Sequence, residues 1–169
     1  MIFWRKRKQR VRADLVVGMM FFNPKGEVLL VQKNGKLTIP TGHVEKDEVD
    51  LQETVIREGR EELKIDLKDV RITGNFGTVL REQVPEKKLI EIFSLRLTQE
   101  EVDQVDFEEA GQKGQLWVRP GQIKNLSLID PLAQEALERY RRRYPGKSGK
   151  EKGDKNVSAR EISGSIQST

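Results

Sequence analysis

The order of elements along the chain predicts an α+β protein, folded as an α/β/α sandwich around a mixed β-sheet. Three observations carry this. An apolar run bounded by a turn opens the folded part, as a buried strand does. One amphipathic helix stands between two groups of strands. A second amphipathic helix closes the pattern.

Residues 13–22 (ADLVVGMMFF) form the opening strand, and Asn23-Pro24-Lys25-Gly26 is a turn by composition. Glu27 to Gln32 returns as a second strand, so 13–32 reads as a hairpin. Lys36 to Pro40 is short and extended, because Pro40 excludes helical backbone at Ile39. Asp50 or Glu48 then opens a helix that ends near Lys64, with Leu51, Val55, Ile56, Gly59 and Leu63 in one broad sector. Strands follow at 70–73, 77–81 and 89–97, then an acidic loop or short helix at 98–110 and a strand at 115–118. Leu128 to Tyr144 is the closing helix, with Leu132, Ala136, Leu137 and Tyr140 on one side. From Pro145 the composition turns polar and rich in Gly and Ser. The expected organisation is therefore one domain over 1–144 and a disordered polar tail over 145–169.

Composition narrows the function classes. The chain has 169 residues, 34% of them charged and 6% aromatic, so the core is mainly aliphatic under a charged surface. The net charge of +4 is uneven: Arg5 to Arg12 and Arg139 to Arg143 are basic, whereas 45–62 is acidic. The basic segments suit an anionic substrate or nucleic acid, although a solvated strand edge and helix face is the plainer reading. Cysteine is absent, which excludes disulfides and thiolate chemistry and fits a cytoplasmic setting. The longest apolar stretch, Leu15 to Phe22, has eight residues where a membrane-spanning helix needs roughly 20, so no membrane association is expected.

The segment richest in chemistry runs from Gly42 to Glu62. With 51–64 helical, Glu58 and Glu62 are i,i+4 neighbours and Glu61 is three residues from Glu58. The three carboxylates share a sector of about 100° that borders the apolar one. Crowded like charges repel, and a hard divalent cation relieves the repulsion; Mg²⁺ takes carboxylate and carbonyl oxygens and bridges to substrate phosphates. Arg57 can pair with Glu61 at i+4. Thr41-Gly42 after Pro40 allows a tight turn, and the glycine lets a backbone carbonyl approach a metal. Glu45 and Glu48 add carboxylates near the helix start. A glutamate-rich helix alone is more often a solvated face; the glycine loop and Glu48 ahead of it are what favour a site.

Together these residues resemble the Nudix box. The chain reads Gly42, five residues, Glu48, eight residues, then Arg57-Glu58-Gly59-Arg60-Glu61-Glu62-Leu63-Lys64-Ile65, where the family pattern has seven residues in the second gap. The box and the order of elements around it extend the resemblance over residues 10–143, and imply a Nudix-type sandwich. The resemblance also implies Mg²⁺ (with Mn²⁺ as an alternative) held by the Gly42 carbonyl, Glu58, Glu61 and Glu62. Arg57 would orient a glutamate, and Glu48 would support the site directly or through water. The reaction would be hydrolysis of a phosphoanhydride in a nucleoside diphosphate linked to another group. The chain departs from the pattern in the one-residue insertion, in Gly59 for an aliphatic residue, in Lys64 for a glycine and in Thr41 where glycine is common.

Outside the box, His43, Glu48, Glu108 and Glu109 are the candidates for a general base. Trp117 and Phe76 could stack on a nucleobase but suit core positions better. Arg81 and Lys87–Lys88 are candidate phosphate contacts. A small nucleotide is the expected partner, with capped RNA and a second copy of the chain as further partners to consider. The competing function is a nucleotide- or RNA-binding regulatory module with little turnover, motivated by the two basic segments.

Overall fold

The computed structural model describes residues 14–83, 86–109 and 112–146. The basic run Arg5 to Arg12 and nearly all of the expected tail lie outside the described residues.

The opening apolar run is strand β1 (Asp14–Phe22). From Val16 onward it is apolar because both of its faces are covered. Val16, Met20 and Phe22 belong to one core cluster, and Val17, Met19 and Phe21 to another on the opposite face. β2 (Val28–Lys33) returns after the turn, but the hairpin survives only at its mouth, where Phe22 faces Val28. The two strands then part. β2 takes β3 (Lys36–Thr38) as a neighbour, and β1 takes β4 (Thr41–His43), the chain reversing at Ile39-Pro40 between them. Pairing within one long hairpin would have left the 36–43 segment outside the sheet; splaying lets both halves of it pair.

The expected strands at 70–73 and 77–81 are one strand, β5 (Ile72–Gln83), antiparallel to β6 (Glu86–Arg96). Register shifts between Ile72 and Gly74 and between Asn75 and Thr78 break its periodicity, which is why the sequence reads as two pieces. β6 also pairs with β1 in parallel along nine positions, from Asp14 with Lys88 to Phe22 with Arg96. β9 (Gln115–Val118) adds to β2, completing a mixed seven-stranded sheet, and β7 (Glu108–Glu109) pairs with β8 (Gln112–Lys113) in a small ribbon.

Helix α1 (Leu51–Leu63) covers one face through Val55 and Leu63, and α3 (Pro131–Arg143) covers the other through Leu132, Ala133, Ala136, Leu137 and Tyr140. This is the expected sandwich. Each helix has an aspartate cap: Asp50 accepts from the N–H groups of Gln52 and Glu53, and Asp130 from that of Leu132. α3 begins three residues later than expected because Asp130-Pro131 is the start signal and Leu128 has a left-handed φ of 60°. The acidic 98–110 segment contains a short helix, α2 (Gln99–Gln104), with a capping box between Thr98 and Glu101. Among the described residues no helix is long and apolar enough to cross a membrane.

Candidate active site

The site forms where β4 meets α1. Gly42 pairs with Val17 in the middle of the sheet, and it is a strand residue rather than part of the tight turn expected from Thr41-Gly42. Its backbone needs no left-handed conformation. What matters is the missing side chain: a Cβ at position 42 would lie 2.1 Å from Glu58 Cγ and 2.8 Å from Glu58 Oε1. Glycine is therefore required so that the Glu58 carboxylate can lie against the β4 backbone.

Glu58 stands on α1 beside the apolar stripe, one turn after the buried Thr54, and is only 7% exposed. Burial pushes its carboxyl above the ordinary value, a shift that Arg57 opposes and the neighbouring Glu61 charge reinforces. Arg57 is the hub of the site. Its Nε donates to Glu48 Oε1 at 2.9 Å, Nη1 to Glu58 Oε1 at 2.7 Å and to Glu61 Oε2 at 3.4 Å, and Nη2 to the His43 carbonyl at 2.6 Å. The planar guanidinium thus ties the loop, β4 and the helix together, which a point-like ammonium could not do. The expected pairing with Glu61 is present, but it is the longest of these contacts.

Glu48 is fully engaged in this scaffold. Its carboxylate accepts from Arg57, from the Thr54 hydroxyl at 2.6 Å and from the Glu45 N–H at 2.8 Å. Burial alone would raise its pKa, but the hydrogen bonds from Arg57, Thr54 and Glu45 and the charge of Arg57 outweigh that and hold it at about 2. Glu48 makes these contacts across eight intervening residues. In the loop ahead of the helix Val49 is exposed and its N–H donates to Glu53.

Glu61 and Glu62 lie further along the same face. The Glu61 side chain is 60% exposed, and Glu62 accepts from Lys33 Nζ at 3.2 Å. Lys33 was not singled out in the sequence; it lies 29 residues away and is brought here by the end of β2, so no local signal marks it. Among the described residues no three acids or histidines already surround a common point, because Arg57 and Lys33 hold the carboxylates. The donors nevertheless suit a hard divalent cation: a carbonyl-bearing strand residue with no Cβ, a buried carboxylate of raised pKa against it, and two further carboxylates on the same helix face.

Of two departures from the box pattern, Gly59 has a structural reason and Lys64 carries a backbone cost. A Cβ on Gly59 would lie 2.9 Å from Leu67 Cδ1, so the glycine admits the returning chain. Its carbonyl accepts from the N–H groups of Lys64 and Ile65 as the helix ends. Lys64 itself adopts φ 59°, the left-handed conformation that glycine would take more readily.

The remaining candidates separate. His43 is exposed and gives its carbonyl to Arg57. β7, which carries Glu108 and Glu109, runs beside α1. Arg81 pairs with Asp130, and Lys87 with Glu82. Phe76 is buried in the core under α3, and Trp117 packs in part against the core under α1. The arginines of α3 are structural in part: Arg139 donates to the Phe76 carbonyl at 2.9 Å, and Arg143 to the Asn75 carbonyl at 2.6 Å, where β5 bulges.

Comparison with known proteins agrees with this architecture. Solved structures of similar fold include the MutT protein of Methanosarcina mazei Go1, 24% identical, with a TM-score of 0.63 over 79% of this chain and 96% of that one. A C. elegans Ap4A hydrolase binary complex is 20% identical, with a TM-score of 0.62 over 79% of this chain and 99% of that one. The NUDIX domain of Shewanella oneidensis NrtR, solved with ADP ribose, is 17% identical, with a TM-score of 0.61 over 78% and 88%. No curated protein sequence matches the chain. The NUDIX domain family model matches residues 12–142, which span β1 to α3 and include the whole Gly42–Ile65 segment, and the chain therefore belongs to the Nudix family of hydrolases.

Proposed function

We propose that the chain is a divalent-metal-dependent nucleotide pyrophosphohydrolase, acting on a phosphoanhydride of a nucleoside diphosphate linked to another group. The observation that carries this reading is the close approach of Gly42 and Glu58, which brings a buried carboxylate against the β4 backbone. Mg²⁺, with Mn²⁺ as the alternative, would be held by the Gly42 carbonyl, Glu58, Glu61 and Glu62. Such an ion supplies an acidified water and neutralises charge on phosphoryl oxygens.

The chain's own residues have distinct tasks in this scheme. Arg57 orients Glu58 and Glu61, and Glu48 positions Arg57 rather than touching the substrate. With three donors on its carboxylate and a pKa of about 2, Glu48 is a poor proton acceptor near neutral pH. Glu108, on the β-ribbon beside α1, is the better candidate for accepting the proton of the attacking water. Water adds to phosphorus as the bridging P–O bond breaks, leaving two phosphorylated products. The ligand named for the NrtR domain and the substrate named for the Ap4A hydrolase both contain such linked diphosphates, which supports this substrate class.

The test is a panel of ADP-ribose, ordinary and oxidised nucleoside triphosphates, dinucleoside polyphosphates and 5′-capped RNA, each with and without Mg²⁺, read by product identity. Turnover should require the metal and should be lost in Glu61→Gln and Glu62→Gln while their thermal unfolding stays near that of the parent. Parental rates in both variants would overturn the site assignment. Tight, salt-sensitive binding with no turnover on any substrate would favour the regulatory module instead.

A further inference from the structure

A concavity lies beyond the end of β1, away from the box. Its floor is aromatic. Phe22 and Tyr140 stack with ring centroids 4.5 Å apart, and Tyr144 lies 5.1 Å from Tyr140. Lys25, Arg96 and Thr73 complete the lining, around a volume of about 460 Å³, within the usual range for small-molecule sites. In β1, Gly42's partner is Val17, and the cavity opens at Phe22, five residues on and roughly 17 Å away at strand rise. The rings belong to the α3 face, whereas Glu58 lies on the α1 side. The two places are separate.

Arg96 is the cavity's strand-borne cation. Along β6, alternate residues Ile90 and Ile92 belong to the α3-side core and Ser94 is fully buried; Arg96 is next in that register. Its side chain is exposed at the strand end, where the guanidinium is available to an anionic ligand. Among the described residues neither Arg96 nor Lys25 has a carboxylate partner, and no acid lines the cavity. Arg96 does act on the Tyr140 hydroxyl: burial pushes that phenol's pKa up, and the Arg96 charge opposes the shift.

Lys25 is held in place by a built turn. The buried Asn23 accepts through Oδ1 from the N–H groups of Lys25 at 3.0 Å and Glu27 at 2.9 Å, and its Nδ2 donates to Glu27 Oε2 at 2.8 Å. This occupies the one nearby carboxylate of the turn and leaves Lys25 at the rim. Positive φ at Gly26, 79°, lets the turn close.

We propose that this cavity is a second ligand site, which takes a small phosphorylated molecule bearing an aromatic ring, of about the size of a nucleoside monophosphate. The phosphate meets Lys25 and Arg96, and the ring lies against the tyrosines. Charge-assisted contacts to phosphate favour both cations, and the ring adds apolar contact that a free inorganic anion lacks. This site does not depend on turnover at the box.

AMP is a suitable probe, titrated into the full chain in the presence of EDTA and followed by backbone NMR shifts. Saturable shifts are expected at Lys25, Gly26, Thr73, Arg96 and Tyr144. Arg96→Gln should weaken binding about tenfold, the equivalent of one charge-assisted contact, and Lys25→Gln should weaken it less. Both side chains are exposed, so both variants should fold, as far-UV circular dichroism would verify. Glu61→Gln, in the box, should leave AMP affinity unchanged. Inorganic phosphate should shift the same residues with lower affinity. The proposal is overturned if shifts are confined to the Gly42–Glu62 region, if Arg96→Gln binds as the parent does, or if no saturable binding occurs. Equal affinity for phosphate and AMP would overturn the aromatic half of the assignment.

Discussion

The two helices that sandwich the sheet use arginine in opposite ways. On α1, Arg57 is surrounded by carboxylates and holds them near one another. On α3, Arg139 and Arg143 reach backbone carbonyls of β5 where the strand bulges, and Arg143 also lies over the Phe76 ring. A bulge leaves carbonyls without ladder partners, and a guanidinium can satisfy them. A cluster of acids, by contrast, remains frustrated even after one arginine has been shared among them. The same residue type thus completes a fold on one face and gathers carboxylates on the other. Charge counts alone, which make α3 look like an anion-binding surface, cannot make that distinction.

The comparison is most easily broken at Arg57. Arg57→Met should remove turnover and cost about 3 kcal/mol, because Glu48 and Glu58 are left as largely buried acids without their main partner. Urea unfolding and a nucleotide turnover assay would check both effects; a loss below about 1 kcal/mol would mean that the hub is ornamental. Arg57→Lys should recover part of the stability and little of the activity, since one ammonium cannot serve Glu48, Glu58 and the His43 carbonyl together.

Acid sharpens the same contrast. The Glu48 pKa is depressed from 4.5 to about 2, so its contribution is fully present above pH 4.5 and is lost as the pH falls towards 2. The amount is on the order of 3 kcal/mol. Urea midpoints at pH 6 and pH 2.5 should therefore differ less in Glu48→Gln than in the parent, and an identical acid loss in both would remove Glu48 from the scaffold.

On the other face, Arg139→Met should cost about 1–2 kcal/mol through the lost bonds to Phe76 and Thr78 carbonyls. Turnover should stay at the parental level; a large fall in kcat with unchanged stability would contradict the division of labour between the helices. The smallest effect is expected at the exit of α1. Lys64→Gly relieves a left-handed backbone and should raise stability by roughly 0.5 kcal/mol, visible as a small rise in Tm. A fall in Tm would mean that the exposed bond from Lys64 Nζ to the Glu61 carbonyl matters more than the backbone strain.

Much of the fold was legible because local rules and tertiary packing agree. β1 reads as buried since every residue from Val16 to Phe22 except Gly18 is a large apolar side chain facing a covered surface. Asp50 and Asp130 mark helix starts by a mechanism confined to the first turn. β4 was missed because three residues carry no periodicity; it exists only through pairing with β1. β5 was split because bulges reset the alternation of its faces. In the box, the glutamate spacing on α1 was readable from helix geometry, and so was an Arg57–Glu61 contact. Glu48's engagement with Thr54 and Arg57 was not, because the loop path across the inserted residue decides it.

The order of side chains along the backbone was thus sufficient to set the sandwich, the acidic helix and the family, since each depends on repeats a few residues long. Which charges face one another was decided only by the folded sheet. Lys33 meets Glu62, Gly42 makes room for Glu58, and Arg96 and Tyr140 come to line one cavity. Electrostatic energy falls off with distance in space, whereas separation along the chain says nothing of it until the strands have paired.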